Sequence, residues 1–284
     1  MSGRAVIARL AELRLSENNW QWRLLLRLHP SVFKAGEYQL EPGIRPQDLL
    51  QKLDRGDVIL YRFTIVEGWT YRQLLGALLA DPVLGPGLKD LMKEAGWQGP
   101  AGSQDQLEGA FLPETYVFSR SEKAKDVLAQ AANAMQSALA EAWARRTDDH
   151  PARTSYELLI LASIIEKETA LDEERARISG VFVRRLKKGM RLQTDPTVIY
   201  GLGDTFDGDI RRSDLASDTP YNTYTRNGLP PTPIAMPGRA SLLAAAQPAA
   251  GGALYFVADG KGGHTFSESL EQHQLAVDRL LEKK

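Results

Sequence analysis

Apolar residues recur at spacings of three and four along most of this chain, and alternate over only a few short stretches. The helical period is strongest around Leu158–Thr169, where Leu158, Leu161, Ile164 and Ile165 mark a short, largely buried helix. Thr154-Ser-Tyr-Glu157 before it has the capping-box pattern. The helix closes on Glu166 and Glu168, which lie roughly 200° apart around its axis. Glu168 continues the apolar side. Glu166 turns toward the flank and is expected to meet water more easily. A carboxyl on the apolar side of a core helix should have a raised pKa, as a general acid working at neutral pH requires. The alternative is that both acids are solvated residues of a helix end, since perturbed acids mark function only statistically.

Taken in order, residues 5–28 carry Val6, Ile7, Leu10, Leu13, Trp20, Leu24, Leu25 and Leu28 at helical spacing, with an interruption expected at Asn18-Asn19. Their mixture of Arg and aromatic residues suits a packed amphipathic helix pair, with a membrane-surface helix as the alternative. Residues 32–80 read as a strand–helix–strand–helix module with an antiparallel sheet, its second strand in Val58–Val66 and a helix capped by Thr70. Residues 81–107 read as a variable connection with a short helix at Leu88–Ala95. Leu107–Phe118 is a dense apolar segment suited to core packing or to lining a cleft. Helices follow at Ala124–Ala144, at Glu173–Lys187 with Gly189 ending it, at Leu242–Ala246 capped by Ser241, and at Leu270–Leu281. Leu254–Ala258 and Thr265-Phe266 form a plausible hairpin around Asp259-Gly-Lys-Gly-Gly-His264. The fold class is therefore α+β: a small subdomain followed by a larger mixed α/β domain. The expected divisions are residues 1–31, 32–80, 81–120 and 121–284.

Composition narrows the chemistry. The 284 residues carry 35 Lys and Arg against 36 Asp and Glu, so nothing favours a nucleic-acid partner. Cysteine is absent, which excludes disulfides and thiolate metal sites. His29, His150, His264 and His273 show no metal-ligand spacing, so neither a catalytic metal nor another cofactor is expected. No apolar stretch reaches the ~18 residues of a membrane span, and the start lacks signal-peptide features.

Between residues 166 and 225 the polar side chains concentrate. Gln193, Asp195, Thr197, Tyr200, Tyr221, Asn222, Thr223 and Tyr224 offer hydroxyl, amide and aromatic groups, a set suited to a carbohydrate. Each could instead satisfy turns around the prolines. The Gly-rich turn at 260–263 lacks P-loop spacing and precedes a strand, so it reads as a hairpin turn, with Lys261 and His264 as secondary site candidates. No Ser-His-Asp order or nucleophile elbow is present.

The motifs Leu161-Ala-Ser-Ile-Ile-Glu-Lys-Glu-Thr169, Val181-Phe-Val-Arg-Arg-Leu186, Met190-Arg-Leu-Gln-Thr-Asp-Pro-Thr-Val-Ile-Tyr-Gly201, Tyr221-Asn-Thr-Tyr224, Gly228-Leu-Pro-Pro231 and Tyr255–Phe266 resemble, in order, the endolytic murein transglycosylase family, also called YceG-like. The resemblance covers the chain from about residue 32 onward. It implies a LysM-like subdomain over residues 32–80, a catalytic domain after it, and cleavage of nascent peptidoglycan glycan strands to 1,6-anhydro ends. It implies a bacterial inner-membrane protein facing the periplasm, in the company of penicillin-binding peptidoglycan synthases. The family's opening membrane helix has no counterpart in these residues, so the localisation rests on the resemblance alone. The family's essential acid falls in Glu166-Lys-Glu168. It carries over to Glu168, with Glu166 second, because Glu168-Thr169 is similar to the Glu-Ser step of other lytic transglycosylases. The competing expectations are a non-catalytic glycan-binding module and a hydrolase pairing Glu168 with Asp195 or Glu166.

Overall fold

A computed structural model describes residues 3–13, 20–28, 33–93 and 107–282. The expected break at Asn18-Asn19 lies outside them. Among the described residues the architecture is helical with two small two-stranded sheets, an α+β arrangement, and the chain divides into two compact units.

The first unit comprises Met1–Phe63 and Thr115–Val127. It holds α1 (Gly3–Glu12), α2 (Trp20–Leu28), α3 (Pro46–Arg55), and strands β1 (Leu60–Thr64) and β2 (Thr115–Ser119), which pair with each other. Pro46 opens α3, where its missing N–H costs nothing, and Gly56 ends it with φ 72°. Val6, Ile7, Leu10 and Trp22 share a core with Phe33, Leu49, Leu50 and Leu53. The sheet differs from expectation. Residues 33–40 form no ladder with β1, whose partner is β2, in a segment read only as core or cleft lining. Gly36 explains part of this. A side chain there would overlap Val58, so the two segments cross closely, joined by the bonds from Ile59 N to Glu37 O at 2.8 Å and from Tyr61 OH to Glu37 Oε2 at 2.5 Å.

The second unit comprises Thr64–Glu114 and Leu128–Lys284. Helix α4 (Tyr71–Ala80) opens with a complete capping box from Thr70 and Gln73, and α5 (Gly85–Lys93) follows. Beyond it come α6 (Ala124–Ala144), α7 (Ser155–Glu168), α8 (Asp172–Lys187), α9 (Asp195–Leu202), α10 (Arg212–Ala216), α11 (Arg239–Ala246), β3 (Tyr255–Ala258), β4 (His264–Ser267) and α12 (Leu270–Leu281). Strands β3 and β4 form the expected antiparallel hairpin, with Ala258 opposite His264 and Tyr255 opposite Ser267.

Helix α7 is the centre of this unit. Every residue from Leu158 to Ile165 is buried, and α8, α9 and α11 pack around it. Its N-terminus is capped as expected by Thr154, whose Oγ1 accepts from Glu157 N at 3.1 Å. The second half of the capping box differs: the Glu157 carboxylate accepts from Arg153 N, one residue before the cap. Ser241 also differs from expectation. It lies inside α11, whose N-cap is Gly238, and its hydroxyl accepts from Arg175 Nε at 3.2 Å.

Ser163 ties the core to the incoming chain. Fully buried, its hydroxyl donates to Ile160 O at 2.7 Å and accepts from Ile234 N at 3.0 Å. Ser163→Ala should orphan the Ile234 N–H and cost about 1–3 kcal/mol in urea unfolding. An unchanged midpoint would mean that this N–H finds another acceptor.

Candidate active site

Glu168 is the last residue of α7; Thr169 caps it through its N–H to Ile165 O, and its Oγ1 accepts from Leu171 N at 3.0 Å. Glu168 is half-buried as a residue, and its carboxyl accepts a short hydrogen bond from the Thr194 hydroxyl. Burial raises its pKa to about 7. The Thr194 bond lowers it, the Asp195 charge raises it, and His264 lowers it. At neutral pH this group can therefore both hold and release a proton.

Thr194 was not among the expected site residues, although it lies in the same motif. Its position comes from a compact frame. Thr194 N donates to Thr223 Oγ1 at 3.1 Å, and Thr197 Oγ1 lies 2.9 Å from the same hydroxyl and donates to Thr194 O at 2.8 Å. Gln193 N donates to Thr223 O at 3.2 Å, and Gln193 adopts φ 51°, unusual for a residue with a Cβ. Asn222 is buried and fully engaged. Its Nδ2 reaches Asp214 O, Leu215 O and Ser217 O, and its Oδ1 accepts from Tyr224 N at 2.8 Å. Thr197, Asn222 and Thr223 thus spend their hydrogen bonds on holding the frame.

Asp195 and Tyr224 lie nearer the acid. Tyr224 OH donates to Asp195 Oδ1 at 2.5 Å, the Asp195 charge raises the Glu168 pKa, and the Glu168 charge helps to raise that of Tyr224. Burial, then the Asp195 carboxylate, pushes the Tyr224 phenol upward, so it stays a donor. Asp195 is the first residue of α9, with Pro196 behind it, rather than part of a turn. Tyr200 and Tyr221 meet edge-on at 4.9 Å, and the Tyr221 hydroxyl lies 2.9 Å from that of Thr232.

The Tyr200 hydroxyl leads to Glu108, which the sequence does not single out. Glu108 is buried, accepts from Tyr200 OH at 3.0 Å, and receives Tyr71 N at 3.0 and 3.1 Å on its two oxygens. Burial raises its pKa to about 7 against the bonds from Tyr200 and the backbone. The clamp joins the start of α4 to the C-terminal half of α9.

Glu166 does not face water as expected. Its side chain is 5% exposed, accepts from Gly238 N at 2.8 Å, and has Arg175 Nη2 at 3.9 Å. The N-terminus of α11 arrives over this flank of α7, so both carboxylates turn inward. Glu67 crowds the same place, where a side chain at position 238 would collide with it. Burial, then the Glu166 charge, raises the Glu67 pKa. Glu166 thus caps a neighbouring helix beside an arginine, whereas Glu168 meets the Thr194 hydroxyl.

The described residues contain no cluster of three or more His, Asp or Glu able to hold a metal, and no helix long and apolar enough to cross a membrane. The YceG-like family model matches residues 1–279. The chain belongs to the YceG-like family. This YceG-like chain is 31% identical over 271 residues to the endolytic murein transglycosylase of Bacillus subtilis (strain 168), covering 89% of this chain and 75% of that protein. It is 29% identical over 277 residues to the protein of the same name from Streptococcus pneumoniae serotype 2, covering 86% of this chain and half of that longer relative. The crystal structure of a YceG-like protein from Listeria monocytogenes matches with a TM-score of 0.61 at 30% identity, over 91% of this chain and 90% of that one.

A raised carboxyl pKa carries a stability consequence. The unfolded Glu168 has a pKa of 4.5 and the folded one about 7, so the folded state binds the extra proton between them. Its contribution is full below 4.5 and is lost as pH rises through 7. Glu168→Gln should therefore raise the unfolding free energy in urea at pH 8, by on the order of 1–3 kcal/mol. The gain should shrink toward pH 5. Equal shifts at both pH values would contradict the assignment.

Proposed function

We propose that this chain is an endolytic peptidoglycan lytic transglycosylase, cutting the bond between N-acetylmuramic acid and N-acetylglucosamine in nascent glycan strands. The observation that carries the reading is Glu168: a carboxyl at the C-terminal end of the buried helix α7, held by the Thr194 hydroxyl and pushed up to about 7 by burial. The names of the Bacillus and Streptococcus relatives support the same reaction class.

Protonated Glu168 donates to the glycosidic oxygen as the bond lengthens and an oxocarbenium-like state develops. The C6 hydroxyl of the same muramic acid then attacks the anomeric carbon, and Glu168, now a carboxylate, accepts its proton. A 1,6-anhydro sugar leaves, and no water is consumed. The intramolecular nucleophile brings high effective molarity, so a second carboxylate need not activate water. Glu166 and Asp195 are already engaged by Gly238 and Tyr224, which disfavours a hydrolase built on either. Gln193, Tyr200, Tyr221 and Tyr224 supply the polar and aromatic surface for the sugars, on the frame built by Thr197, Asn222 and Thr223.

In this reading a LysM-like glycan-holding part lies in residues 32–80, of which 32–63 belong to the first unit and 64–80 to the second. With that substrate, the reading takes in the periplasmic face of an inner membrane as the place of action and the synthases that extend the strands as partners.

The test is mass spectrometry of uncrosslinked glycan strands incubated with the protein and with Glu168→Gln. The parent should release anhydro-ended fragments, with kcat/KM falling as pH rises through about 7 and the acid form is lost. The variant should lose about 10²–10⁴-fold in rate. Anhydro ends persisting in the variant would move the acid to Glu166. Reducing ends would identify a hydrolase, and absence of cleavage by the parent would favour a glycan-binding module.

A further inference from the structure

Glu108 is a buried acid that the lytic cycle does not use. It sits in a tight turn. Ala110 N donates to Leu107 O at 3.2 Å, and Gly109, at φ 74°, lies so close to Pro233 that a Cβ there would stand 2.7 Å from the proline Cβ. The turn holds the Glu108 carboxyl against Tyr71, the first residue of α4, whose N–H has no partner inside the helix. Thr70 already caps the same helix through Gln73 N, so Glu108 serves a second donor from outside. Its other partner is the Tyr200 hydroxyl at 3.0 Å, and among the described residues no Lys, Arg or His pairs with it. A buried carboxyl without a cation is unfavourable unless its bonds are kept. A neutral acceptor would satisfy Tyr71 N with less strain on the fold, so the helix start does not by itself account for a carboxyl here.

The tyrosine at the other end of the bond does account for it. Tyr200 and Tyr221 meet edge-on with ring centroids 4.9 Å apart, and both residues are half-buried against the core around α7. Each hydroxyl is tied to a buried partner, Tyr200 to Glu108 and Tyr221 to Thr232 at 2.9 Å. Thr232 gives its own hydrogen to Pro233 O at 2.9 Å, so Tyr221 is the donor to Thr232. Pro233 is the residue wedged against Gly109. Both phenols are thus anchored in one place, where residues 108–109 meet residues 232–233. The pair also stands on the frame of the acid. Tyr200 lies on α9, which starts directly after Thr194, and Tyr221 adjoins Asn222 and Thr223. With both hydroxyls taken, what the pair offers a ligand is ring, the surface that covers the C–H face of a sugar.

We propose that Glu108 is a positioning residue for the glycan strand, which locks Tyr200 and Tyr221 as an aromatic platform for one sugar ring of the substrate. The inference rests on the reading of the chain as an enzyme that acts on glycan strands. Glu108 neither touches the sugar nor exchanges a proton in the cycle. It acts through the Tyr200 hydroxyl, which fixes the tilt of that ring against Tyr221. The platform is then ordered before the strand arrives, and binding does not have to order it. Its loss removes an interaction made equally in the ground state and the transition state, so it weakens binding and leaves the chemical step in place.

The experiment is a double-mutant cycle on binding. Calorimetry measures the Kd of uncrosslinked glycan strands for the full chain in a Glu168→Gln background, and kcat and KM are measured for the same substitutions in the active protein. Glu108→Leu and Tyr200→Phe should each weaken binding about tenfold and raise KM by a similar factor, with kcat within about twofold. The two combined should be no worse than either alone, since both remove one interaction. Glu108→Gln, which keeps an oxygen for the Tyr200 hydroxyl and the Tyr71 N–H, should recover most of the affinity. Tyr200→Leu, which removes the ring, should weaken binding more than Tyr200→Phe. A Glu108 that only caps α4 would lower the urea midpoint and leave Kd and KM in place, which would overturn the proposal. Additive losses in the cycle, or equal binding by Tyr200→Leu and Tyr200→Phe, would overturn it as well. If Glu108→Leu fails to fold, Glu108→Gln and Tyr200→Phe take its place in the cycle under the same criterion. If the parent makes no anhydro ends, the lytic reading fails, while the calorimetry still reports whether Glu108 acts through Tyr200 on the strand.

Discussion

The burial of α7 is the constraint on which the second unit depends. A helix covered on all sides from Leu158 to Ile165 leaves no wet face for whatever stands at its end. Two glutamates there must each find a substitute for water, or hold a proton. Glu166 takes the first course, with a backbone N–H from Gly238 and the nearby Arg175. Glu168 takes the second, with one hydroxyl and a raised proton affinity. Two identical side chains two residues apart thus acquire different chemistry from their neighbours alone.

The same logic runs outward from the acid. Thr194 reaches Glu168 because Thr197 and Thr223 hold its backbone, and Asn222 in turn fixes the Thr223–Tyr224 corner against the carbonyls after α10. Arg185 adds a brace from α8, donating to Leu192 O at 2.8 Å and to Leu254 O at 2.6 Å. The site is therefore a network of satisfied polar groups around one carboxyl that is kept short of partners. Such networks hold their geometry because breaking any member strands another in a poorly solvated place.

Much of this is legible in the chain. Helical periodicity finds α7, α8 and α12, and the Gly-rich turn between two apolar runs finds the β3–β4 hairpin, because these signals are local. The apolar-side argument anticipates the raised pKa of Glu168 but wrongly turns Glu166 toward water. What periodicity cannot carry is the covering element. Glu166 reads as solvated because its partner, Gly238, lies 72 residues away. The pairing of β1 with β2 is hidden for the same reason, and so is Glu108, whose partners Tyr71 and Tyr200 come from distant helices. Thr194 sits in plain view within a polar run. Nothing short of the fold distinguishes it from Thr197, which turns its hydroxyl to the backbone.

The order in which the chain visits its two units has a practical outcome for anyone who wishes to dissect it. Residues 64–114 belong to the second unit, yet they run between the two strands of the first. No single cut separates the units. A fragment starting at residue 64 would keep Thr115–Ser119 but lose its mate Leu60–Phe63, exposing an unpaired strand edge of the kind that promotes self-association. Poor behaviour of such a fragment would speak of the orphaned strand and would say nothing against the fold of the part that carries Glu168.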